Sequence, residues 1–170
     1  MALVEIGFSL LIGMLILFIS FSLITVFAKR KYGIGYYNTT FAILKACILF
    51  SVGFLMHSVI EPLNYAFRVI VSDGGSSGIG LLLSLAGAAG LYFIIGGLYS
   101  IIVVLISLKI FTWLTSFFNK ISESEEIKKD NLSIGIVTGA VVIVMALLLK
   151  NGLVLLLESM TYLPELTKFN

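Results

Sequence analysis

Residues 125–150 read EEIKKDNLSIGIVTGAVVIVMALLLK. A short charged run ends at Asn131, and an uncharged, helix-length segment follows with Gly135 and Gly139 four apart. Residues 38–57, NTTFAILKACILFSVGFLMH, repeat the plan: charges before an Asn, then Ala42 and Ala46 at the glycine spacing. At one constant offset Asn38 meets Asn131, Ile43 meets Ile136 and His57 meets Lys150. The chain reads as two copies of one helical hairpin.

Composition gives the environment. With 59% hydrophobic and 12% charged residues, a water-soluble fold would lack the polar surface to cover itself. An integral membrane protein is expected, and 170 residues hold about four or five spans at roughly 20 apolar residues each. The net charge of +2 is small and the cations gather in two loops, which excludes nucleic acid as a partner. Cys47 is alone, so no disulfide forms within the chain.

Ile6 to Ala28 is uncharged and makes the first span, followed by Lys29, Arg30 and Lys31. Thr39 to Ile60 makes the second, interrupted by Lys45 about two turns from its inner end and by His57 near the other. Lys45 can snorkel to the inner headgroups or line a path; the first reading is preferred. His57 and Glu61 share a face at the far interface, read as a polar pair rather than a metal or proton site. Pro62 opens an amphipathic segment ending at Asp73, and residues 74–80 connect the halves. Gly74, Ser76 and Gly78 have nucleophile-elbow spacing, but no strand precedes the Ser, so the bland reading as a flexible connector stands.

From Gly74 to Leu108 there is no charge, more than one upright span needs. One long third helix is expected, kinked at Gly96 and Gly97, because two shorter spans would leave a turn at membrane depth. The loop Asn119 to Asp130 then carries Lys120, Lys128 and Lys129, which with the first basic cluster places both loops in the cytoplasm and both termini outside. Asn131 is the expected N-cap of the fourth span.

The expected fold is therefore an all-α integral membrane protein of four transmembrane helices, arranged as two parallel hairpin repeats about an axis along the membrane normal. The first repeat with its amphipathic segment takes residues 1–73 and the second residues 81–170. Ala42 and Ala46, like Gly135 and Gly139, are expected on helix-packing faces.

Glu125, Glu126 and Ile127, with Asn131, Gly135 and Gly139 ahead of an apolar tail, resemble the hairpin repeat of the YjfL-like family of small bacterial inner-membrane proteins of unknown function. The likeness runs over roughly Gly97 to Lys150; in the first half Lys29, Arg30 and Lys31 stand in place of the acidic pair. The resemblance implies a bacterial inner membrane and an envelope-stress setting, and the family offers no established catalytic residues to carry over.

Two functions compete. A structural or interaction subunit, self-associated or built into a larger membrane complex, accounts for the small-residue faces and the scarcity of buried charge. A small channel or carrier would use Lys45, His57 and Lys150 as pathway residues. The first is preferred, because the middles of the spans are almost without polar groups. No metal-ligand cluster, cofactor motif, or nucleophile with a base is present, so neither an enzyme nor a cofactor is expected. The expected partners are the lipid bilayer and further protein subunits.

Overall fold

Asn38 opens a helix: its extended backbone and a side-chain oxygen 2.7 Å from the Phe41 amide cap the turn that follows. The computed structural model describes residues 13–15, 17–22, 24–26, 38–72, 78–119 and 122–166. Lys29, Arg30, Lys31, residues 73–77 and Lys120 lie outside them, as do parts of the first span. The described elements are all helical: α1 (Gly13–Val26), α2 (Thr39–His57), α3 (Ile60–Ser72), α4 (Ile79–Asn119), α5 (Glu123–Lys128) and α6 (Leu132–Leu166).

Three stretches, Thr39–Ser72, Ile79–Phe117 and Leu132–Met160, are long and apolar enough to cross a membrane. In α2, α4 and α6 the apolar residues run round every side of the helix rather than along one stripe, as fits a helix facing protein on one side and lipid on the other. Leu44, Ile48, Val52 and Leu55 of α2 meet Val142, Ala146, Leu153 and Leu157 of α6 in the core. The third wall is α4, with Tyr92, Phe93, Val103 and Val104. The hydroxyls of Ser51, Ser100, Ser107 and Thr138 are buried, and each donates to the carbonyl one turn back. Those four hydroxyls are thereby bonded within their own helices, which suits an apolar surrounding.

Helix α4 is one continuous helix of 41 residues through Gly96 and Gly97. Gly96 has a packing role, because a Cβ there would lie 2.5 Å from Val59 Cγ2. Two tyrosines tie α4 to α6: Tyr99 donates to the Leu149 carbonyl at 2.9 Å and Tyr92 to that of Leu157 at 3.3 Å. The crossed order of the partners makes α4 and α6 antiparallel.

Within the expected charged loop the structure has a further helix, α5. Ser122 precedes Glu123, Glu125 and Glu126 in the first turn, and Lys128 closes the last, so the charges complement the helix dipole. The Ser122-x-x-Glu125 spacing is a helix-start signal. Termination is equally specific. Asp130 takes a left-handed φ of 60°, with its amide bonded to Ile127 O and that of Asn131 to Glu126 O, the paired pattern that closes a helix.

Candidate functional site

The left-handed turn at Asp130 aims its carboxylate at α2, where it accepts from the Thr40 amide at 2.6 Å. Asn38 reciprocates, donating its side-chain NH2 to the Ile127 carbonyl at 2.7 Å. Asn131 accepts from the Ser133 amide at the start of α6 and donates to Glu126, which also pairs with Lys129 at 2.8 Å. Beside them the buried Glu123 meets the Thr112 hydroxyl of α4. These bonds clamp the first turns of α2 and α6 together, so the two helices run in the same direction. The bond from Asn131 and the Lys129 ammonium hold the Glu126 carboxyl below its ordinary value, and the Thr40 backbone does the same for Asp130.

Gly135 and Gly139 sit inside this clamp. A Cβ on Gly135 would lie 2.6 Å from Thr40 Cγ2 and 2.9 Å from the Thr40 carbonyl oxygen, and one on Gly139 would lie 2.6 Å from Cys47 Sγ. Ala42 and Ala46, their counterparts at the constant offset, are exposed. The glycines of α6 receive side chains of α2, so the alanine face is turned away from α6.

At the other end of the same two helices His57 closes α2, and the chain bends at Ser58 and Val59 before α3 begins. Pro62 occupies the first turn of α3, and Leu63 and Ala66 are buried while Asn64 and Arg68 are exposed, an amphipathic arrangement. On α6, Lys150, Val154 and Glu158 follow at four-residue intervals on one face. These walls enclose a cleft of about 530 Å³ containing His57, Glu61, Arg68, Lys150 and Glu158. Two of the residues singled out from sequence, His57 and Lys150, thus stand at one site. Lys150 Nζ is 5.3 Å from the centre of the Phe54 ring, within cation–π reach. None of the cleft's charged side chains forms an ion pair with a described residue.

The third candidate, Lys45, is elsewhere. Its ammonium donates to Thr25 Oγ1 at 2.7 Å and lies 3.2 Å above the Phe21 ring, both on α1. Next to it an apolar groove of about 650 Å³ runs between α1 and α2, lined by Phe21, Leu49, Phe50, Phe54 and, at one end, His57. Among the described residues no three His, Cys, Asp or Glu side chains are placed to hold a metal ion.

Sequence reading missed Glu123, Asp130 and the two cross-helix tyrosines. Glu123 carried a signal in the helix-start spacing at Ser122; the others become meaningful only once the helices are paired.

The family model described as Domain of Unknown Function (DUF350) matches residues 1–153, first half included. No curated protein and no solved structure matches the chain.

Proposed function

We propose, for a chain that belongs to the DUF350 family, a non-enzymatic role as a multi-pass membrane subunit that assembles with further copies or into a larger membrane complex. The length and surface of α4 carry this reading. Its 41 residues make a rod of about 60 Å, and even at a tilt of about 40° the uncharged part from Ile79 to Leu108 alone spans roughly 34 Å against a hydrocarbon layer of about 30 Å. Apolar helix therefore leaves the hydrocarbon. Ile79 and Leu83 are 81% and 74% exposed, and a Cβ at Gly87 or Gly90 would meet nothing within 4 Å. A surface of this kind outside lipid calls for protein cover.

The proposed topology has α1, extended over Ile6 to Ala28, as a fourth span, with the halves as parallel repeats. The clamp end bears Lys128 and Lys129 and faces the cytoplasm, both termini lie outside, and the membrane is a bacterial inner membrane. Cysteines introduced at Ser124 and Asn64 test the orientation: external reagent should reach Asn64→Cys alone in intact cells, and the opposite pattern would invert it.

Assembly is tested by crosslinking in native membranes. Gly87→Leu should reduce crosslinked oligomer without lowering the thermal midpoint. A wild-type chain that is monomeric at native density refutes the proposal. Ion flux into liposomes that shifts with Lys45→Met would replace it with the channel.

A further inference from the structure

We propose that the cleft at the His57 end, with the groove it opens into, binds an aminophospholipid. Its phosphate lies against Lys150 and His57, its primary ammonium against Glu61 and Glu158, and an acyl chain along Leu49, Phe50 and Phe54. The site is formed within one chain and does not depend on the assembly proposed above.

Continuity is the first reason. His57 lines both the apolar groove of about 650 Å³ and the polar cleft of about 530 Å³, so one ligand can occupy both. Each volume lies in the roughly 300–1,000 Å³ range of small-molecule sites. A free polar solute would have no use for the groove, and a hydrocarbon none for the cleft.

The order of chemistry is the second. Along one wall Phe50 and Phe54 are followed by His57 and then Glu61. On the other wall Lys150 lies level with Phe54, as its contact with that ring requires, and Glu158 is about 12 Å further along α6. The α2–α3 wall runs from apolar to basic to acidic, and the α6 wall from basic to acidic. A phospholipid presents acyl chain, phosphate and ammonium in the same order.

Charge is the third. Lys150 and Arg68 balance Glu61 and Glu158, and none of the four forms an ion pair with a described residue. An anionic headgroup would satisfy Lys150 and be opposed by both carboxylates, whereas a zwitterion satisfies Lys150, Glu61 and Glu158 together. A primary ammonium offers three N–H donors to those carboxylates and a quaternary one offers none, which selects ethanolamine-type over choline-type headgroups.

The test is native mass spectrometry of the purified full chain in detergent. Equimolar phosphatidylethanolamine, phosphatidylcholine and phosphatidylglycerol with identical acyl chains are added. Ethanolamine lipid should be retained over each of the others by roughly tenfold, the order of one charge-assisted hydrogen bond. Glu61→Gln with Glu158→Gln should bring it down to the choline level, and Lys150→Met should lower both zwitterions. Equal retention of the two zwitterions by wild type, a preference for the glycerol lipid, or an ethanolamine preference that survives the double substitution overturns the proposal. Displacement of bound lipid by O-phosphoethanolamine at matched concentration would also overturn it, because the groove would then contribute nothing. The wild-type comparison decides even if the double variant does not fold.

Discussion

At its N-terminal end α2 is tied to α6 through Asn38, Thr40 and Asp130, whereas at its C-terminal end His57 faces Lys150 and Glu158 across an open cleft. Both ends collect polar side chains at the limits of the same two helices. At the first they complete helix ends, join neighbouring backbones or pair with one another. At the second none of the charges forms an ion pair with a described residue. Polar residues at a membrane boundary thus divide by what they bond to, and neither residue type nor depth separates the two groups. Parallel helices with small-residue contacts at one end and a charged cleft at the other have one fixed end and one end where a ligand can enter.

The sharpest way to break the comparison is to put bulk into the fixed end. Gly135→Ala directs a methyl against the Thr40 carbonyl oxygen, a backbone atom that moves only if the helices part. A loss of about 2–3 kcal/mol is expected from such overpacking, read as a lower thermal midpoint in detergent. Gly90→Ala, which meets nothing, should instead stabilise by about 0.5–1 kcal/mol through helix propensity. If the two variants behave alike, the α2–α6 contact is not where the fold is held.

Next in size is the clamp itself. Asn38→Ala removes both the cap on Phe41 and the bond to Ile127, and about 1–2 kcal/mol should be lost. Amide exchange should speed at Phe41 and in the first turn of α6 while Leu153 and Leu157 keep their protection. Uniform acceleration along α6 would show that the two ends are not energetically distinct.

Much of this architecture is legible before any coordinates. Uncharged runs give the long helices, Asn38 and Asn131 mark two helix starts, and the charge-free stretch from Ile79 to Leu108 lies in one long helix because a turn at membrane depth would leave backbone groups unbonded. The packing of the small residues is not legible. Ala42 and Gly135 are equivalent in sequence, yet one is exposed and the other buried, since the side of a uniformly apolar helix that meets protein is decided by its neighbours. Of the candidate pathway residues, His57 and Lys150 share a site because the constant offset that relates them also describes two helices clamped in register. Lys45 has no such counterpart and is drawn to α1 by Thr25 and Phe21.

Acid should loosen the fixed end gradually. Glu126 and Asp130 have folded-state pKa values below their unfolded ones, so their contribution is complete above the unfolded carboxylate pKa and is lost as pH falls through the folded values. Lys129, raised by Glu126, works in the opposite sense: its contribution is present below the unfolded lysine pKa and lost as pH rises through the folded one. Thermal midpoints should therefore fall on acidification below the ordinary carboxylate range. Asp130→Asn should fall less steeply, since an amide oxygen still accepts from Thr40 and no longer titrates. Identical acid profiles would remove Asp130 from the clamp.

The smallest effect is expected at the open end, and its smallness is informative. Lys150→Met keeps the stem that packs by Phe54 and loses only the ammonium; Glu158→Gln keeps shape and loses charge. Neither group is in an ion pair with a described residue, and each faces a cleft, so no buried partner is left stranded by its removal. Each variant should stay within about 0.5 kcal/mol of wild type in lipid-free detergent. Adding ethanolamine phospholipid should raise the wild-type midpoint and raise that of Glu158→Gln less, because a ligand stabilises a fold only in proportion to its affinity for it. A large loss from either substitution without lipid would mean that the cleft, like the clamp, holds the bundle together, and the contrast between the two ends would disappear.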